Sequence, residues 1–133
     1  MKIFIDTNIF LDLILKRKYS NEATVILNAV SKRLFDGVLL DITLLNIDYI
    51  AKKQIVDIRK FISTINNLFD VVGATNEMFT EAMDIENIDL EDNLQYISAK
   101  KYKCDVIVTN DKNFCQGDIE ILTSSEFIIK YIV

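Results

Sequence analysis

Five short apolar runs punctuate this chain, at residues 2–5, 38–40, 69–72, 105–108 and 119–122, and helix-period segments separate the first four. That alternation constrains the fold more than any other feature. Strands joined through helices run parallel, and a parallel sheet is covered by helices on both faces. The reading is an α/β fold with a central parallel sheet, in one domain spanning residues 1–133. Helices are expected at 8–16, at 21–34 behind a Ser20 cap, at 43–53, 56–67 and 76–86 behind Thr75, and at 90–102 behind Asp89. Gly37 is read as a break before the second strand, and Ser124 as the start of a last short helix. There is no proline and no repeat or linker-like stretch to divide the chain.

In open parallel sheets, ligands sit beyond the carboxyl ends of the strands. The first strand runs straight into such a position, because Ile3, Phe4 and Ile5 are followed at once by Asp6. A carboxylate there must be neutralised, capped or bound, since burying it bare is costly. Asp111 follows the strand at 105–108 by way of Thr109 and Asn110, and Asp92 lies in the first turn of the helix that opens "DLEDNLQYISAKK". If the first and fourth strands are neighbours, the three carboxylates converge on one edge.

Each acid also has an ordinary structural role open to it. Asp6 can cap the helix after it, Asp92 can serve the positive end of its helix behind Asp89, and Asp111 can sit in a turn. Asp41, after the second strand, is a rival ligand and equally well placed to cap the helix at 43. Phe10, Leu11, Leu13, Tyr96 and Ile97 read as core. Three oxygen-rich side chains at matched positions, taken together, suit a hard cation such as Mg²⁺ or Mn²⁺. Such a cluster can activate water and stabilise an in-line phosphoryl displacement.

Composition narrows the chemistry further. The chain has no histidine, which excludes His-based triads, imidazole bases and His-bound zinc. Cys104 and Cys115 form no metal-binding cluster and are expected as free thiols of a soluble, cytosolic protein. Neither a signal-peptide layout nor a membrane-length apolar run is present, so no membrane association is expected. The net charge of −5 argues against loose binding to nucleic acid over the whole surface, while leaving room for a local basic groove. A receiver-like regulatory module fits poorly, because only one acid, Asp6, follows the first strand.

The stretches "FIDTNIFLD", "ITLLNIDYIAKK" and "DLEDNLQYISAKKYKCDVIVTNDKNF" resemble, in order along the whole chain, the PIN domain family and its bacterial VapC-like toxin branch. The resemblance implies a three-layer α/β/α sandwich and a Mg²⁺- or Mn²⁺-dependent endoribonuclease site. It further implies an RNA substrate, a small antitoxin partner and a homodimer. It assigns catalytic positions to Asp6, Asn46, Asp92 and Asp111, with Asp6, Asp92 and Asp111 as metal ligands. Thr7, Asn8, Asp89 and Thr109 are supporting residues, with Thr7 and Asn8 tying down the turn beside Asp6. Asn46 departs from the pattern, which has Glu there, and Asp48 lies on a different helix face. The departure keeps a second reading open, a PIN-fold binding or scaffold protein with impaired catalysis.

Overall fold

The structure is a computed structural model describing residues 1–133. Strands β1 (Lys2–Ile5), β2 (Asp36–Leu40), β3 (Asp70–Val72), β4 (Val106–Val108) and β5 (Glu120–Leu122) form one sheet in the order β3-β2-β1-β4-β5. All four pairings are parallel. The helices are α1 (Thr7–Ile14), α2 (Ser20–Ser31), α3 (Asp41–Ala51), α4 (Ile58–Leu68), α5 (Asn76–Met83), α6 (Leu90–Lys101) and α7 (Ser124–Phe127), with a closing π-helical turn at Ile128–Ile132. No helix is long and apolar enough to cross a membrane.

Period-two side-chain alternation divides the sheet between two cores. Ile3, Ile5, Leu39, Val106 and Val108 pack with α1, α2, α3, α4 and α7, through residues such as Phe10, Ile26, Ile47, Ile65 and Phe127. Phe4, Val38, Leu40 and Ile107 face the other way, onto Met78 and Ala82 of α5 and Leu94 and Ala99 of α6. The result is the three-layer α/β/α sandwich. The two buried faces explain why the strands read as unbroken apolar runs.

Several element boundaries depart from the sequence reading. Gly37 lies inside β2, paired with Ile3, and does not break the chain. A Cβ at this position would come within 2.4 Å of the Phe69 ring, so glycine here serves close packing. Ser20 is the first residue of α2 and not its cap. Ala23 N already donates to Tyr19 O at 3.0 Å, so the helix starts one residue earlier, with Tyr19 at the cap. The fourth helix begins at Ile58, leaving Val56 exposed. The Thr75 and Asp89 caps form as expected, accepting from Met78 N at 3.3 Å and Asp92 N at 3.1 Å.

Candidate active site

The chain order turns around between β1 and β4. From β1 it steps outward to β2 and β3, then crosses back to β4 on the other side of β1. The loops after β1 and β4 therefore diverge and leave a crevice at their carboxyl ends. Asp6 N donates to Val108 O at 3.1 Å, which extends the ladder one residue and fixes the Asp6 carboxyl at the floor of that crevice.

Asp6 is buried, and both its oxygens accept neutral donors. Gln95 Nε2 donates to Oδ1 at 3.0 Å, and the Thr109 hydroxyl donates to Oδ2 at 2.9 Å. Neither donor carries charge, so the carboxyl is oriented without being neutralised. Burial accordingly raises its pKa to about 6, against the lowering effect of the two hydrogen bonds and with the charges of Glu91 and Asp111 adding to the rise. Asp92, one turn before Gln95, is also buried. Its carboxyl is pushed up to about 8, first by burial, then by the charges of Asp6, Asp89 and Asp111, with Asp111 also in hydrogen-bonding reach of the protonated form. The Asp92 Oδ2 atom is buried without any hydrogen-bond partner.

Asp6, Asp92 and Asp111 line one cleft of about 110 Å³, with Asp89, Glu91 and Asn46 around it and Leu11 and Ile50 as apolar wall. Asp111 is held by the Thr109 hydroxyl, which accepts from Asp111 N at 3.1 Å. A second hollow, of about 490 Å³, shares Asp89, Asp92 and Asp111 and runs out past Asn87 and Asn113. Of the supporting residues, Thr7 is buried at the start of α1 and hydrogen-bonds Thr43 of α3 at 2.8 Å, whereas Asn8 is exposed at the rim and takes no part in that bonding. The turn beside Asp6 is thus tied down through Thr7 alone. Asp41, the rival ligand, does not line the cleft. It is the exposed first residue of α3, and its carboxylate accepts from its neighbour Ile42 N at 2.8 Å. Phe10, Leu11 and Tyr96 are core residues, as expected. Cys104 and Cys115 are free and buried, and burial pushes both thiols up to about 11, away from reactivity.

Two site residues escaped the sequence reading, Glu91 and Gln95. Glu91 Oε1 accepts from Asn46 Nδ2 at 2.8 Å, and Oε2 accepts from the Thr7 hydroxyl at 3.1 Å. Their spacing was the available signal. Glu91 and Gln95 are four apart on α6 and so share a helix face at the cleft.

A PIN domain family model matches residues 2–113. The chain belongs to the PIN domain family. This PIN domain is 34% identical over 138 residues to Ribonuclease VapC1 of Aquifex aeolicus (strain VF5), an alignment covering 95% of the chain and 92% of that protein. Its fold is shared with a toxin-antitoxin complex from Klebsiella pneumoniae, at a TM-score of 0.71 and 19% identity, over 92% of this chain and 97% of the other. It is shared too with VapBC2 from Rickettsia felis, solved bound to a DNA fragment from its promoter, at 0.69 and 17%, again over 92% and 97%. A third, VapC20 of Mycobacterium tuberculosis, a sarcin-ricin loop cleaving toxin, superposes at 0.67 with 12% identity, over 84% and 92%.

As the side chains stand, no group of three or more His, Cys, Asp or Glu side chains is placed to hold a metal ion. The donor set nevertheless has the chemistry for a hard divalent ion. It is all oxygen and contains two buried carboxyls that resist ionisation. It also contains one buried carboxyl oxygen, Asp92 Oδ2, that receives no N–H or hydroxyl donor.

Proposed function

We propose that this PIN domain is a Mg²⁺- or Mn²⁺-dependent endoribonuclease and the toxin of a toxin–antitoxin pair. The observation that carries the reading is the cleft itself: Asp6 buried between two neutral donors, beside Asp92 with its orphan oxygen and Asp111. The relationship to Ribonuclease VapC1 over nearly the whole chain supports it, and a small antitoxin is the partner it implies.

In this reading Asp6, Asp92 and Asp111 hold the cation. When bound, it supplies Lewis-acid polarisation of the scissile phosphate and lowers the pKa of water. The chain's residues do the rest. Gln95 and Thr109 hold the Asp6 carboxyl in one orientation, and because they are uncharged its full negative charge stays available. Asp111 is half-exposed at the mouth, its backbone N–H held by the Thr109 hydroxyl. Leu11 and Ile50 give the cleft one apolar wall.

The catalytically impaired scaffold reading predicts that the acidic space is filled from within by an ammonium group or by an extended hydrogen-bond network. No lysine or arginine lines the cleft, while Gln95, Thr109, Asn46 and Thr7 do hydrogen-bond two of its acids, Asp6 and Glu91, so metal uptake and RNA cleavage must decide. Incubating a mixed RNA pool with Mn²⁺ tests the choice. Wild-type protein is expected to cleave it and Asp6→Asn to lose at least about a hundredfold of that rate. Equal RNA turnover by the two proteins, or none by either, would leave a binding protein as the better description.

A further inference from the structure

We propose that Glu91 is a fourth acid of this cleft, aimed at its cation by Asn46 of α3 and Thr7 of α1. The inference rests on the nuclease reading and names a residue of the same site. A glutamate in the first turn of a helix ordinarily serves the helix dipole and points into water. Glu91 does neither alone. It is half-buried, and each of its oxygens is pinned by a donor on a different element, Asn46 Nδ2 at 2.8 Å and the Thr7 hydroxyl at 3.1 Å. Thr7 is itself anchored to buried Thr43 at 2.8 Å.

Fixing a carboxylate between two neutral donors is how outer-shell groups orient metal ligands. The arrangement parallels the one that holds Asp6, where Gln95 and Thr109 are the neutral donors. The repulsion among Glu91, Asp6, Asp92 and Asp111 has no internal cation to offset it, and Asp92, whose Oδ2 is buried without an N–H or hydroxyl donor, lines the same cleft. Both observations point to a cation as what completes the cluster.

The pairing also explains Asn46. An amide that faces a carboxylate oxygen at 2.8 Å must present its NH₂ group, and a second carboxylate there would meet Glu91 head-on. Adding Glu at position 46 to the native chain would therefore place like charges in contact and restore nothing.

The test is a reciprocal exchange in the full-length chain, read by calorimetric titration with MnCl₂ and by melting in EDTA. Glu91→Gln keeps an acceptor for Asn46 Nδ2 and turns its NH₂ to the Thr7 hydroxyl oxygen, whose proton can go to Thr43 instead, so it is expected to melt near wild type while Mn²⁺ affinity falls about tenfold or more. Asn46→Glu is expected to melt lower in EDTA. The double variant Asn46→Glu with Glu91→Gln, which moves the carboxylate across the pair, is expected to recover the melting temperature and most of the Mn²⁺ affinity. Wild-type affinity in Glu91→Gln overturns the assignment, whatever happens to its melting temperature. So does a double variant no better than Glu91→Gln. If Asp6→Asn abolishes Mn²⁺ binding while Glu91→Gln leaves the affinity at the wild-type value, Glu91 alone is wrong. A wild type that takes up no Mn²⁺ overturns Glu91 and the nuclease reading together.

Discussion

At the scale of single residues, the decisive property is that two of the cleft's carboxyls, Asp6 and Asp92, resist ionisation. Asp6 titrates near 6 and Asp92 near 8 in the folded state, both above the ordinary 3.8. The folded protein thus holds protons that the unfolded chain has released. Stability must then fall as pH rises from about 4 through about 8, by on the order of 3 kcal/mol from Asp6 alone. Melting temperatures in EDTA should decline across that window, and Mn²⁺ should reverse the decline at its upper end, where the carboxylates are ionised. Asp92→Asn should flatten the profile. A profile that is flat or rises with pH in EDTA would contradict the burial argument. Asp6, Asp92 and Asp111 were legible in the sequence because strand ends and a helix start are topologically marked positions. Glu91 and Gln95 were not. Their roles depend on which helix lies across the cleft, and a Glu behind an Asp cap looks like any residue serving a helix dipole.

At the scale of elements, α6 does most of the positioning, since it carries Glu91, Asp92 and Gln95. Its start is set by Asp89, whose side chain accepts from Asp92 N and whose charge helps to raise the Asp92 pKa. The two roles separate by substitution. Asp89→Ala loses the cap and should cost about 1 kcal/mol in chemical denaturation, whereas Asp89→Asn keeps a good cap and should cost a few tenths. Both should lower the Asp92 pKa by removing a like charge, which ¹³C-detected NMR titration of the side-chain carboxyls can follow. Equal losses of stability in the two variants would show that the charge, not the cap, matters at that helix end. The helices and strands themselves were readable from period and caps, including Thr75 and Asp89. The errors have separate causes: Gly37 lies in a strand paired with Ile3, where its lack of a side chain makes room for the Phe69 ring, and Ser20 yields its capping place to a local turn, its N–H donating to Arg17 O.

At the scale of the whole molecule, the matched family region stops at residue 113, yet the fold does not. Beyond it β5 completes the sheet beside β4, and α7 brings Phe127 into the larger core, fully buried against Phe35 at 5.2 Å and Tyr131 at 5.3 Å between ring centroids. The same helix reaches back toward the site. Ser124 N and its hydroxyl both donate to Asn110 Oδ1, at 3.0 and 3.1 Å, and Asn110 immediately precedes Asp111. The C-terminal segment is therefore part of the globule and a brace for the loop that carries one of the acids. Phe127→Ala removes a fully buried ring from the larger core, so it should cost about 3–5 kcal/mol. Urea denaturation should show the midpoint falling at unchanged slope, because the same surface is still exposed in one cooperative step. A loss below about 1 kcal/mol would mean that the segment is an appendage to a domain that is already complete. A second, earlier transition would mean that it unfolds on its own.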